Sequence, residues 1–104
     1  MRTVDEMEEE LEKYLVILLS KYNKIPVTNK GCNAIELIFI NSLKEIYGDT
    51  VDDISIRWNW KMGSLFPTMT VEASEETFKL ITNVSISKEF LKKIKIIVEV
   101  IIRT

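Results

Sequence analysis

Between Ile54 and Met62 the chain alternates strictly. Ile54, Ile56, Trp58, Trp60 and Met62 fall on one side, and Ser55, Arg57, Asn59 and Lys61 on the other. Successive side chains leave a strand on opposite faces, so this period of two predicts a half-buried β-strand. Gly63-Ser64 offers a turn, and Thr68 to Ala73 alternates again, which makes a hairpin. Upstream the spacing changes to steps of three and four. Val4, Met7, Leu11, Tyr14, Leu18 and Tyr22 form the apolar stripe of an amphipathic helix, opened by a Thr3–Glu6 capping box. Ile35, Ile38, Phe39, Leu43, Ile46 and Tyr47 form a second stripe, which predicts a helix from an Asn33 N-cap to a Gly48 C-cap.

Beyond Ala73 the pattern supports two readings. Ser74 to Thr77 can cap a short helix, yet Phe78, Leu80, Thr82, Val84 and Ile86 alternate with Lys79, Ile81, Asn83 and Ser85 as the two sides of a strand do. Ile94 to Ile102 fits helix and strand periods equally well. Its isoleucines and valines lose rotamer freedom in a helix and suit a pleated surface, so a strand from about Ile94 to Arg103 is expected, with a helix as the alternative. The expected fold is α+β: two N-terminal helices packed on one face of a mainly antiparallel sheet of about four strands. With 104 residues the chain has room for one core and one domain.

Charge narrows the range of partners. The net charge is -2, whereas a general nucleic-acid binder needs a basic field to displace counterions from phosphate. Residues 5–12 carry six acids and no base, and bases collect between Lys88 and Arg103. No apolar run is long enough to span a membrane, and no basic leader with an apolar core begins the chain. One cysteine cannot form an intrachain disulfide, so a reducing, cytoplasmic setting is expected.

The absence of histidine removes the Ser-His and Cys-His nucleophile pairs, and with a lone cysteine it removes the usual zinc sites. The three glycines stand apart, so no glycine-rich loop cradles phosphate. Asp49, Asp52 and Asp53 could together offer oxygen ligands, but their spacing is not that of an EF-hand loop, and turn-forming aspartates are the commoner case. Cys32 near a helix start reads as a passive thiol. The expectation is therefore a protein that is not an enzyme and has no metal or cofactor.

The paired tryptophans would suit a stacking platform for single-stranded nucleic acid if they shared a face with Arg57 and Lys61. Alternation puts them on the opposite face, with Ile54 and Ile56, where they are expected in the core. The other face then carries a polar field interrupted by isoleucines. Arg57, Asn59, Lys61, Ile81, Lys95, Ile97 and Ile101 are the candidate partner-binding residues, because apolar side chains within a mixed-charge field resemble a moderate interface. The function expected is that of a small protein-binding factor, an inhibitor, immunity or antitoxin-like protein or an adaptor, which occludes a partner's surface. A homo-oligomer through the C-terminal strand is a further possibility. The alternative is a nucleic-acid-associated module using the tryptophan strand and the basic C-terminal segment.

Overall fold

A computed structural model describes residues 3–21, 28–82 and 96–104. Helix α1 (Val4–Ser20) starts where expected: the Thr3 hydroxyl accepts the Glu6 N–H at 3.2 Å. Helix α2 (Asn29–Tyr47) starts earlier than Asn33. Its N-cap is Thr28, whose hydroxyl accepts the Gly31 N–H, and Gly31 and Cys32 become buried first-turn residues. Gly48 ends α2 with φ +68°, a backbone angle that favours glycine. A single 3₁₀ turn (Gly48–Val51) leads to β1 (Ser55–Asn59).

Strand β1 pairs antiparallel with β2 (Thr68–Ser74), so the expected hairpin forms. It is shorter than the alternation suggests. Asn59 is opposite Thr68, the first residue of β2, and Pro67 before it has no N–H to continue the ladder. Trp60 and Met62 therefore lie beyond the sheet.

The second half corrects the four-strand, mainly antiparallel expectation. Residues 78–81 are not strand: Ser74 ends β2 and at once caps helix α3 (Glu75–Ile81), its hydroxyl accepting the Thr77 N–H. Acids at Glu75 and Glu76 suit the positive end of that helix. The C-terminal strand β3 (Ile97–Arg103) does form, which removes the helix alternative, but it runs parallel to β2. Parallel neighbours need a crossover instead of a tight turn, and α3 lies on that connection. The described sheet is three-stranded and mixed, in the order β1-β2-β3.

Register sorts the side chains into two faces. Ile56, Trp58, Met69, Val71, Ala73, Val98, Val100 and Ile102 face the core, packed with Met7, Leu11, Leu15, Ile35, Phe39, Leu43, Phe78 and Ile81 from the three helices. Ser55, Arg57, Asn59, Thr68, Thr70, Glu72, Ile97, Glu99, Ile101 and Arg103 share the opposite face. Thr68 and Thr70 belong to that polar face yet are buried; both are short side chains in the central strand, flanked in register on either side.

Candidate interaction surface

The outer face has three cross-strand rows of different character. At one end Ser55, Glu72 and Ile101 lie in register. Here Arg103 closes the surface on itself: its Nε donates to Glu72 Oε2 at 2.9 Å, and Nη2 donates to Ser55 Oγ at 3.0 Å. In the middle row Arg57 and Glu99 flank Thr70, two strand spacings or roughly 10 Å apart. At the far end Asn59, Thr68 and Ile97 lie in register, and the Ile97 N–H donates to the Pro67 carbonyl at 3.0 Å. This end continues into the β1–β2 connection.

That connection is apolar and exposed. Met62 projects fully into solvent, Leu65 is 85% exposed, Trp60 42% and Phe66 37%. Turn residues are ordinarily chosen for backbone geometry or polarity, so four large apolar side chains around Gly63-Ser64 are unusual. The loop is nevertheless ordered by its own hydrogen bonds. The Ser64 N–H donates to the Lys61 carbonyl at 3.0 Å, and Gly63 supplies the positive φ of +81° at the third turn position. The Ser64 hydroxyl donates to the Phe66 carbonyl at 2.9 Å and accepts the Phe66 N–H at 3.4 Å. Arg57 and Lys61 are exposed, and neither forms an ion pair among the described residues.

Of the residues singled out from the sequence, Arg57, Asn59, Ile97 and Ile101 do share the outer face. Lys61 is exposed but belongs to the loop past the end of β1. Ile81 requires correction: it ends α3 and is 1% exposed, because the segment is helical and its apolar side points inward. Lys95 lies outside the described residues. The tryptophans part company. Trp58 packs against the core and donates its indole N–H to Glu36 Oε1 at 3.0 Å, whereas Trp60 is at the surface. Alternation alone predicts Trp60 and Met62 on the core-facing side of the strand, and it assigns nothing to Leu65 and Phe66. The available signal was apolar crowding around a Gly-Ser turn.

Asp52 and Asp53 are tied into structure. Asp53 is partly desolvated, which raises its pKa, but hydrogen bonds from the Ser74 N–H and the Thr77 and Ser74 hydroxyls outweigh this and hold it below the usual carboxylate value. Asp53 thereby fastens the start of α3, with Thr77 Oγ1 donating to its Oδ1 at 2.7 Å and the Ser74 N–H to its Oδ2 at 3.0 Å. Asp52 pairs with Lys44 at 3.3 Å. Among the described residues no three Asp, Glu, Cys or His side chains come together as a metal-ligand set. Cys32 is buried, and burial raises its thiol pKa. Among the described residues no helix is long and apolar enough to cross a membrane.

The chain matches no family model, no curated protein and no solved structure.

Proposed function

We propose that this chain is a small, non-enzymatic protein-binding factor, of the inhibitor, immunity or antitoxin-like, or adaptor kind. It acts in the cytoplasm by covering a partner's surface with the outer sheet face and the β1–β2 loop. The observation that carries the reading is the exposure of Trp60, Met62, Leu65 and Phe66 on an ordered loop beside Ile97. Exposed apolar side chains next to a polar field are how an interface core meets its rim. Trp, Met, Phe and Arg are also the residue types enriched at such interfaces.

A nucleic-acid reading draws on one specific feature, the surface position of Trp60 beside Lys61. The rest of that case is weaker. Trp58 is committed to the core and to Glu36, and Arg103 is engaged with Glu72.

Affinity purification of the tagged chain from its native host, run beside an Arg57→Glu, Ile97→Lys variant, tests the proposal. The expected result is one dominant protein retained by the parent chain and lost by the variant. Co-purified nucleic acid in place of protein supports the second reading, and identical recoveries from the two chains reject the surface.

A further inference from the structure

We infer that the β1–β2 loop is an anchor that enters an apolar pocket with an acidic rim on the partner protein. This rests on the protein-binding reading above and specifies its partner. Three observations converge on it.

The first is charge. From Ile54 to Val71 the chain has no acid, and it carries Arg57 and Lys61 within a protein of net charge -2. Both cations are exposed and have no ion-pair partner among the described residues, whereas Arg103 on the same sheet face is paired with Glu72. Lys61 stands between Trp60 and Met62, so a pocket that takes the apolar side chains brings its rim to the ammonium group. Acidic groups on that rim would gain a cation that is not already neutralised. Rim charges of this kind set encounter rate and partner choice more than raw affinity.

The second is pre-organisation. The Lys61–Ser64 turn and the two Ser64–Phe66 hydrogen bonds hold the loop in shape before any partner arrives. Loop ordering is a substantial cost of association, and a loop already ordered avoids most of it. Anchors that carry most of an interface's binding energy are typically a few large side chains entering a pocket.

The third discriminates between kinds of partner. A polyanion, whether a phosphate backbone or an anionic lipid surface, laid across this face would also meet Glu99, which shares the middle row of the outer sheet face with Arg57. A protein pocket can present its acids locally to Lys61 and Arg57 and avoid that repulsion. The observations therefore favour protein.

Photocrosslinking of the full chain tests this. A Met62→p-benzoylphenylalanine variant, an Ile97→p-benzoylphenylalanine variant and an α2 control, Glu45→p-benzoylphenylalanine, are irradiated in extract of the native host. The adducts are then sequenced. Position 62 should label one protein at an apolar site flanked by Asp or Glu, and position 45 should not. With that protein purified, Leu65→Asp should weaken binding about thirtyfold or more, the scale of losing an anchor side chain. Lys61→Glu should weaken it about tenfold, and reversing the flanking acid to lysine on the partner should restore binding to Lys61→Glu. Circular dichroism of each variant should match the parent, since both side chains are exposed. Adducts on lipid or nucleic acid, or a labelled protein site without acids and indifferent to Lys61→Glu, overturn the inference. Labelling from position 97 but not 62 leaves the protein-binding function standing and removes the anchor. Labelling from neither removes both.

Discussion

Glu8 Oε2 accepts the main-chain N–H of Val100 at 2.8 Å, although the two residues are 92 apart in sequence. One helical turn on, Glu12 Oε1 accepts the Val98 N–H at 3.3 Å. In β3 the alternate Ile97 N–H turns the other way, to Pro67 on the β2 side, so Val98 and Val100 present the outer edge of the sheet. A row of free edge donors is a template for pairing with another chain. Here α1 supplies side-chain acceptors to both. A homo-oligomer built by adding a strand to this edge would have to displace two carboxylates, so a partner of the kind proposed would reach Ile97 and Ile101 through the sheet face and not through the edge.

Removing the two acceptors should reopen the edge. Glu8→Ala with Glu12→Ala is expected to lose roughly 1–3 kcal/mol per orphaned main-chain donor that water does not reach. The variant should also self-associate as its concentration rises, as size-exclusion chromatography with light scattering would show. Glu8→Gln with Glu12→Gln keeps an acceptor at each position and should stay monomeric. A monomeric alanine variant of parental stability would show that the carboxylates do not guard the edge.

Two carboxyls should pull the pH dependence of stability in opposite directions. Burial raises the Glu12 pKa, and the adjacent charges of Glu8 and Glu9 add to this against the lowering effect of the Val98 hydrogen bond. A folded pKa above the unfolded one means the native state binds more protons in the window from about 4.5 upward, so this group's contribution falls as pH rises through its folded pKa. Asp53 has a folded pKa below its unfolded value, so its contribution is present above about 3.8 and is lost as pH falls through the folded pKa. Urea titrations at stepped pH should show Glu12→Gln more stable than the parent at pH 7, with that gain disappearing towards pH 4. Asp53→Asn should be less stable at pH 7, with the deficit shrinking in acid. The reverse order for either variant would contradict the environment assigned to it.

The two tryptophans should be separable by fluorescence. Trp60→Phe leaves Trp58, which should emit to the blue and resist acrylamide. Trp58→Phe leaves Trp60, which should emit to the red and quench readily. Trp58→Phe should cost about 1 kcal/mol from the lost indole hydrogen bond, and Trp60→Ala less than about 0.5 kcal/mol as an exposed change. Matching spectra from the two variants would reject their different placement.

The isoleucines offer a parallel contrast. Ile97→Lys with Ile101→Lys should leave the fold intact, because both side chains lie on the outer face and Ile97 is 46% exposed. Ile81→Ala should cost about 2–5 kcal/mol and Ile81→Lys should abolish cooperative unfolding, since that side chain is in the core. Thermal melts followed by circular dichroism would decide, and unfolding of the Ile97, Ile101 variant would place those residues in the core instead.

Local pattern was enough for the elements whose information is local. The stripe from Met7 to Leu18, the capping Thr3, the Gly48 helix end and the Ile56–Trp58 alternation each follow from side-chain period or backbone angle, and each is present. The face shared by Arg57, Asn59, Ile97 and Ile101 follows from the same period of two. At Ile97 to Arg103 the period allows helix and strand alike, and the β-propensity of its isoleucines and valines points to the strand that forms. Its direction was beyond local reach, because strand orientation depends on the path of the intervening chain. Once Ser74 starts α3 the chain has its crossover, and β3 arrives parallel. The helical capping signal at Ser74–Thr77 prevailed over the alternation that follows it because Asp53, distant in sequence, supplies two further hydrogen bonds to that helix start. The same dependence explains Trp60 and Met62. Their alternation continues that of Ile56 and Trp58, but a strand lasts only as long as its partner, and β2 begins at Thr68 behind a proline that cannot extend the ladder. Sequence periodicity determined which side each residue of a strand would face; tertiary pairing decided where the strand stopped, and so turned two core candidates into the exposed end of the molecule.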